Sequence, residues 1–184
     1  TGYAIQCQEG YFRTRLATCR KCEIGTYQND GSKDICNKCP EMTYTDKNGS
    51  TECKSCDKTC TSCDRKTGYC KTCKGGWILT NYTCTECLEG SYAEGYKSTE
   101  CKLCPKGTYQ PNKGQGKCLE CPKYQYQDEE GKIECKSCST LCKTGCNPEN
   151  GHCYDCISGY ELNKETGECI ECQIGYYSDF TTNN

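Results

Sequence analysis

Residues Cys104 to Cys138 read CPKGTYQPNKGQGKCLECPKYQYQDEEGKIECKSC and hold two copies of one unit. Each copy runs from a Cys through a Gly or Tyr three residues on and a Tyr five residues on. A Gly-bearing turn follows, then a CxxC that closes one copy and opens the next. Working outward, units of this kind begin at Cys7, Cys22 and Cys39 and again at Cys87, Cys104 and Cys121, with the start of another at Cys172. The fifth residue after the Cys is aromatic every time: Phe12, Tyr27, Tyr44, Tyr92, Tyr109, Tyr126 and Tyr177. The third is Gly at Gly10, Gly25, Gly90, Gly107 and Gly175, with Met42 and Tyr124 as exceptions. Gly there suits a positive φ or a close backbone approach, and the aromatic can lie over a disulfide as a small local core. Asp30-Gly31 and Asn48-Gly49 read as hairpin-turn dipeptides.

The cysteines also repeat on a larger scale. Those from Cys19 to Cys60 recur 82 residues later as Cys101 to Cys142, and the offset then drifts to 85 by Cys169 and Cys172. Small insertions in loops explain the drift, because lengthening a loop costs little. Two large repeats follow, over about 7–86 and 87–171, each with three hairpin units and then a denser stretch, Cys56 to Cys84 or Cys138 to Cys169. In those stretches Trp77-Ile78-Leu79 and Tyr160-Glu161-Leu162 read as single hairpin strands. No segment has helical periodicity beyond a turn or two.

Composition bounds the class. The 184 residues include 25 Cys, 15 Tyr and 19 Gly against 15 Leu plus Ile, no Val, two Phe and one Met. So few aliphatic side chains cannot offset an ordering entropy of about 1 to 2 kcal/mol per residue. A disulfide closing a loop of about 15 residues contributes roughly 3 kcal/mol, so many short loops can replace a core. Such cysteine density belongs to secreted and surface proteins. The net charge is −2 and the charges are scattered singly, which recommends neither nucleic acid nor a cationic partner. No apolar run approaches the roughly 20 residues of a membrane span. Without an initiator Met or a signal-like segment at Thr1, the chain reads as a mature product or a piece of something longer.

The CPKGTYQ…C units resemble the first module of tumour necrosis factor receptor repeats and the ephrin-receptor-like cysteine-rich repeats. The denser stretches resemble furin-like repeats of growth-factor receptors and R-spondins. Cys56, Cys60, Cys63, Cys70, Cys73, Cys84 and Cys87 match that pattern in order, as do Cys138 to Cys172, with Cys142 to Cys146 one residue longer. The resemblance implies the end of a preceding module at 1–6 and three hairpin modules at 7–55. A furin-like module at 56–86, three more hairpin modules at 87–137 and a second furin-like module at 138–171 follow, and 172–184 starts a further hairpin. It further implies the pairs Cys7–Cys19, Cys22–Cys36, Cys39–Cys53, Cys87–Cys101, Cys104–Cys118 and Cys121–Cys135 in the hairpins. In the furin-like modules it implies Cys56–Cys63, Cys60–Cys70, Cys73–Cys84, Cys138–Cys146, Cys142–Cys153 and Cys156–Cys169. Cys172 is left over, its partner expected past Asn184. Modules that contact only neighbours imply an elongated rod, small, disulfide-rich, mostly irregular, with short β-hairpins and little or no helix.

Four-thiolate zinc is the competing reading of the CxxC pairs, for instance Cys19/Cys22 with Cys36/Cys39 or Cys70/Cys73 with Cys84/Cys87. The 17-residue pitch and the lone Cys60 and Cys142 favour disulfides, so no metal and no cofactor are expected. The single histidine, His152, sits in a turn where the first repeat has Tyr69, and no nucleophile or carboxylate pair stands at catalytic spacing; no enzyme is expected. Asn48-Gly49-Ser50 and Asn81-Tyr82-Thr83 are N-glycosylation sequons in loops. Tyr82, Tyr96, Tyr124 and Tyr154 fall outside the packing register and are candidate contact residues.

The favoured function is a repetitive extracellular structural, surface-coat or fibre segment, similar to cysteine-rich coat proteins of protists. Its partners would be other copies of itself or other extracellular and coat proteins. The alternative is a ligand-binding ectodomain of the growth-factor-receptor or death-receptor sort, which a loop in one repeat unlike its counterpart, rich in exposed aromatics, would favour.

Overall fold

The computed structural model describes residues 6–173; Gly175, Tyr177 and most of the hairpin expected to open at Cys172 lie outside them. Among the described residues there is no helix, and eighteen short strands pair two by two into nine sheets. The chain divides into two compact units, one of residues 6–85 with Glu94–Glu100, the other of Glu86–Ala93 with residues 101–173.

In the first unit, β1 (Tyr11–Arg13) pairs β2 (Cys19–Lys21), β3 (Thr26–Tyr27) pairs β4 (Asn37–Lys38), and β5 (Thr43–Tyr44) pairs β6 (Lys54–Ser55), all antiparallel. The denser stretch supplies β7 (Cys60–Cys63) against β8 (Cys70–Cys73) and β9 (Trp77–Thr80) against β10 (Thr83–Glu86). Glu86 itself already belongs to the second unit.

The second unit repeats the hairpins with β11 (Ser91–Tyr92) on β12 (Lys102–Leu103), β13 (Thr108–Tyr109) on β14 (Leu119–Glu120) and β15 (Gln125–Tyr126) on β16 (Lys136–Ser137). It ends with β17 (Tyr160–Leu162) on β18 (Cys169–Glu171). Both short apolar runs, Trp77-Ile78-Leu79 and Tyr160-Glu161-Leu162, thus form one hairpin strand each.

The turn dipeptides differ from expectation. Asp30-Gly31 and Asn48-Gly49 lie inside nine-residue loops, 28–36 and 45–53, and do not close two-residue turns. The reason is that these loops bond to neighbouring hairpins: Cys7 donates its N–H to the Gly31 carbonyl (3.0 Å) and Gly49 donates to the Cys22 carbonyl (2.7 Å). Asn81-Tyr82 is the dipeptide that does close a two-residue turn, with φ of +49° and +63°.

Sulfur replaces aliphatic carbon in the interior. Cys22, Cys39, Cys73, Cys87 and Cys104 are essentially fully buried, while Leu16 is 86% exposed and Ile35 69%. The polar residues Gln28, Thr45, Gln110 and Gln127 are buried alongside the sulfurs. Each stands six residues after an opening Cys, next to the packing aromatic.

These residues knit one hairpin to the next through backbone. In the first unit Gly10 donates to the Gln28 carbonyl (2.7 Å), Gly25 to the Thr45 carbonyl (3.1 Å), Gln28 to the Ser50 carbonyl (3.1 Å) and Thr45 to the Arg65 carbonyl (3.0 Å). The second unit repeats the register, with Gly90 to Gln110 at 2.8 Å, Gly107 to Gln127 at 2.7 Å, Gln110 to Lys132 at 3.0 Å and Gln127 to Pro148 at 2.8 Å. A hairpin of two residue pairs is too small to stand alone in water, so each is held by its own disulfide together with this cross-hairpin bonding.

Met42 and Tyr124, the exceptions to the Gly rule, adopt the same left-handed backbone at φ of +58° and +65°. Their carbonyls accept from Cys56 and Cys138 at 2.9 Å, as the Gly10 and Gly25 carbonyls accept from Cys22 and Cys39. The register therefore dictates the conformation whichever residue is present.

Candidate functional site

Twelve disulfides occur among the described residues. The structure joins Cys7–Cys19, Cys22–Cys36, Cys39–Cys53, Cys56–Cys63, Cys60–Cys70 and Cys73–Cys84 in the first unit. In the second it joins Cys87–Cys101, Cys104–Cys118, Cys121–Cys135, Cys138–Cys146, Cys142–Cys153 and Cys156–Cys169. Cys172 is unpaired among the described residues. Cys60, Cys70 and Cys84 bring three sulfurs within 4.8 Å of one another, yet all three are bridged, and a bridged sulfur has no thiolate to offer a metal.

Among the clefts of the described residues, one recurs in the same place in both units, between the third hairpin and the denser stretch. In the first unit the cleft measures about 470 Å³ and is lined by Tyr44, Asp57, Gly68, Tyr69, Tyr82 and Thr83, among others. In the second it measures about 580 Å³, with Tyr126, Ser139, Gly151, His152, Gly167 and Glu168 at the corresponding places.

The walls are built alike. Tyr44 lies against Gly68 so closely that a Cβ there would come within 2.7 Å of the ring, and Tyr126 lies against Gly151 with the same closeness, 2.8 Å. Gly68 and Gly151 both have positive φ, at +76° and +78°. Lys54 sits 5.9 Å from the Tyr44 ring centroid and pairs with Asp46 at 3.0 Å; Lys136 sits 6.0 Å from that of Tyr126 and pairs with Asp128 at 2.6 Å. Tyr126 also packs against the buried cluster of the disulfide-bonded Cys142, Cys146 and Cys153, in keeping with an aromatic that serves a small cystine core.

The far sides differ. Tyr69 and Tyr82 stack with centroids 5.1 Å apart and planes at 12°, while both remain more than half exposed, at 53% and 63%. In the second unit His152 replaces Tyr69 and lies directly on Gly167, which stands where Tyr82 does; a Cβ on Gly167 would come within 2.1 Å of the imidazole. His152 lies just past the turn at 148–150, its N–H donated to Asn150 Oδ1 at 3.0 Å.

Electrostatics in the first cleft are mild. Hydrogen bonds from the Thr59 hydroxyl and N–H hold the Asp57 carboxyl below its ordinary value. Asp64, which heads the turn that carries Gly68 and Tyr69, is held at about 2 by Lys71 and by the N–H groups of Lys66 and Thr67.

The sequon residues occupy unlike settings. Asn48 is exposed, and its Oδ1 accepts the Ile24 N–H at 3.0 Å. Asn81 is exposed at the tip of the β9–β10 turn, directly beside the stacked pair. Of the off-register tyrosines, Tyr82, Tyr96 and Tyr124 all carry positive φ, and all four, Tyr154 included, are 45% to 75% exposed.

Gln28, Gln110 and Gln127 are the structural residues that periodicity overlooks. Their Nε2 groups donate to the Ile35, Lys117 and Glu134 carbonyls at 2.7 to 2.8 Å, and their Oε1 atoms each accept the N–H two residues on at 3.1 Å. The signal was present as the recurrent Tyr-Gln at 27–28, 109–110 and 126–127.

The sequence profile of the family described as tyrosine-protein kinase ephrin type A/B receptor-like matches residues 6–56 and 94–131, just under half of the chain. These stretches are ephrin-receptor-like cysteine-rich modules, and the matched family is one of extracellular receptor-like modules rather than of catalytic domains. No curated protein matches the chain. No helix among the described residues is long and apolar enough to cross a membrane.

Proposed function

We propose, taking residues 6–56 and 94–131 as ephrin-receptor-like modules, that the chain is a structural segment of a surface coat or fibre outside the cell. The observation that carries this reading is the identical backbone register by which each hairpin grips the next, Gly10 on Gln28 and Gly25 on Thr45, then Gly90 on Gln110 and Gly107 on Gln127. Backbone bonding of this kind tolerates changes of surface side chain and can be extended unit by unit, which is what a building element requires. Disulfides make such an element resistant to unfolding outside the cell, where oxidised sulfur persists. Its partners are then further copies of the chain or other coat proteins.

Electron microscopy of the protein taken from its native surface without reduction tests this. Regular arrays or filaments are expected. Dispersed molecules that co-purify with a stoichiometric ligand would overturn it in favour of a ligand-binding ectodomain. One observation speaks for that second reading: the stacked Tyr69 and Tyr82 have no counterpart at His152 and Gly167.

A further inference from the structure

The Tyr69–Tyr82 pair poses a physical question. Tyr82 has a φ of +63°, a left-handed conformation that is strained for a bulky residue. A Gly in its place would close the same turn without strain. Stacking on Tyr69 offsets part of that strain, yet both tyrosines stay more than half exposed. Protein packing alone leaves the outer ring faces unused.

Tyr82 is also the central residue of the sequon Asn81-Tyr82-Thr83. Asn81 is exposed at the first position of the two-residue turn, and its side chain makes no hydrogen bond among the described residues. Asn48 differs, since its amide oxygen is engaged by Ile24 and the aromatic closest in sequence is the packing residue Tyr44. In the second unit the matching turn has lost both features together: Asn163 to Glu168 contains neither a sequon nor an aromatic, and the tyrosine pair is replaced by His152 on Gly167.

We infer that Asn81 carries an N-linked glycan whose first N-acetylhexosamine lies on the open face of the Tyr69–Tyr82 pair, over the polar rim formed by Asp57 and Thr83. A pyranose presents a face of C–H groups suited to an aromatic ring, while its hydroxyls and acetamide seek polar groups at the edge. In the modification Asn81 Nδ2 bonds to the anomeric carbon of a lipid-pyrophosphate-linked oligosaccharide. The bond from that carbon to pyrophosphate oxygen breaks, the pyrophosphate leaves with the electron pair, and the amide proton passes to a base of the transferase. The inference rests on the extracellular placement of the chain, and it does not depend on whether the chain assembles into a coat.

The chain secreted from a eukaryotic cell line, with its disulfides intact, provides the test. Export is scored first by recovery from the medium, so that a failure of the extracellular reading is seen separately. Glycopeptide mass spectrometry is expected to find Asn81 occupied. Proton NMR of the intact glycoprotein, compared with its N81Q variant, is expected to show one acetamide methyl shifted upfield by ring current. Enzymatic release of the Asn81 glycan from the native protein is expected to be roughly fivefold slower than release from Asn48, the factor matching about 1 kcal/mol of ring contact. In Y69A and Y82A, both of which keep the sequon, the shift and the difference in rate should vanish. An unoccupied Asn81 in secreted protein, or an occupied one with an unshifted methyl and ordinary release, overturns the inference; the NMR readout on the unsubstituted chain stands even if the variants misfold.

Discussion

The N–H of Gly10 bonds to the Gln28 carbonyl at 2.7 Å, and the carbonyl of the same Gly10 accepts the Cys22 N–H at 2.9 Å. One residue of the first hairpin is therefore gripped from both sides by the second. A side chain at position 10 would collide with a third, since a Cβ there would come within 2.2 Å of the Gly49 carbonyl oxygen. Positive φ and lack of space coincide at this point, φ being +80°. The same conjunction recurs at Gly90, where a Cβ would come within 2.0 Å of the Gly131 oxygen.

Gly10→Ala is accordingly expected to be far more damaging than Gly159→Ala. Gly159 has a similar φ of +88°, but a methyl there would meet nothing within 4 Å, so its substitution costs the conformational strain alone, about 1 kcal/mol. At Gly10 a backbone displacement adds about 1 to 3 kcal/mol. For a chain of this size that separates a fall of about 2 to 4 °C in Tm from one of about 4 to 16 °C, read by calorimetry under non-reducing conditions. Equal falls in the two variants would contradict the three-hairpin contact.

Gln127→Leu tests the buried amides. It removes the donor to the Glu134 carbonyl and the acceptor of the Glu129 N–H while keeping the volume, so two backbone groups lose their partners. A cost of about 2 to 4 kcal/mol is expected from unsatisfied polar groups. Gln110→Leu should cost a similar amount, because its side chain holds the Lys117 carbonyl and the Asn112 N–H in the same way. Chemical denaturation with the disulfides intact measures this; a neutral Gln127→Leu would show that loop shape is fixed by sulfur alone.

How far the sequence could be read follows from where each signal resides. The aromatic five residues after each opening Cys, the recurrent CxxC and the lack of helical periodicity are local, and they announce small hairpins and a sulfur interior directly. The role of Gln28, Gln110 and Gln127 is not local. A glutamine beside a turn reads as solvated, and it is buried here only because the following hairpin packs over it and takes its backbone N–H, as Ser50 does for Gln28. Likewise Asp30-Gly31 looks like a two-residue turn until the Cys7 contact shows that the loop is shaped from outside; a Cβ on Gly31 would strike the Cys7 oxygen at 1.6 Å. The first cleft was half legible. Tyr82 stood out as an off-register tyrosine, but its stacking on Tyr69 depends on β8 and the β9–β10 turn meeting, through the Cys70 N–H on the Tyr82 carbonyl at 2.9 Å.

Replacing both Cys104 and Cys118 by Ser is expected to cost about 3 kcal/mol, the value for a loop of this length, the two positions being 14 residues apart. The loss should be concentrated in one place, since Cys104 is fully buried and its N–H and carbonyl bond to Gly90 and Gly131. Hydrogen exchange should therefore rise at Cys104, Gln110 and Gly131 while protection in the first unit stays unchanged. Uniform loss of protection along the chain would mean that the units do not unfold separately.

Acid stability should carry the mark of Asp64. Its carboxyl accepts from the Lys66 N–H at 2.9 Å and the Thr67 N–H at 3.2 Å, pairs with Lys71 at 3.0 Å, and is held at about 2, below the value near 3.9 of an unfolded aspartate. A carboxyl depressed by folding stabilises fully above its unfolded value and loses that contribution as the pH falls toward its folded one. The chain should therefore lose stability as the pH drops from about 4 to about 2, a range in which thiolate is scarce and disulfides do not reshuffle. Asp46 and Asp128, lowered chiefly by Lys54 and Lys136, act in the same direction, so the informative quantity is the difference between the chain and its Asp64→Asn variant. The second unit already uses this solution: Asn147 heads the matching turn and accepts the Glu149 N–H at 2.8 Å through Oδ1. Asp64→Asn should then fold normally, lose no more than about 1 kcal/mol near pH 7 for an exposed ion pair, and show a shallower decline between about pH 4 and 2. Parallel pH profiles for the two proteins would mean that the turn gains nothing from the charge of Asp64.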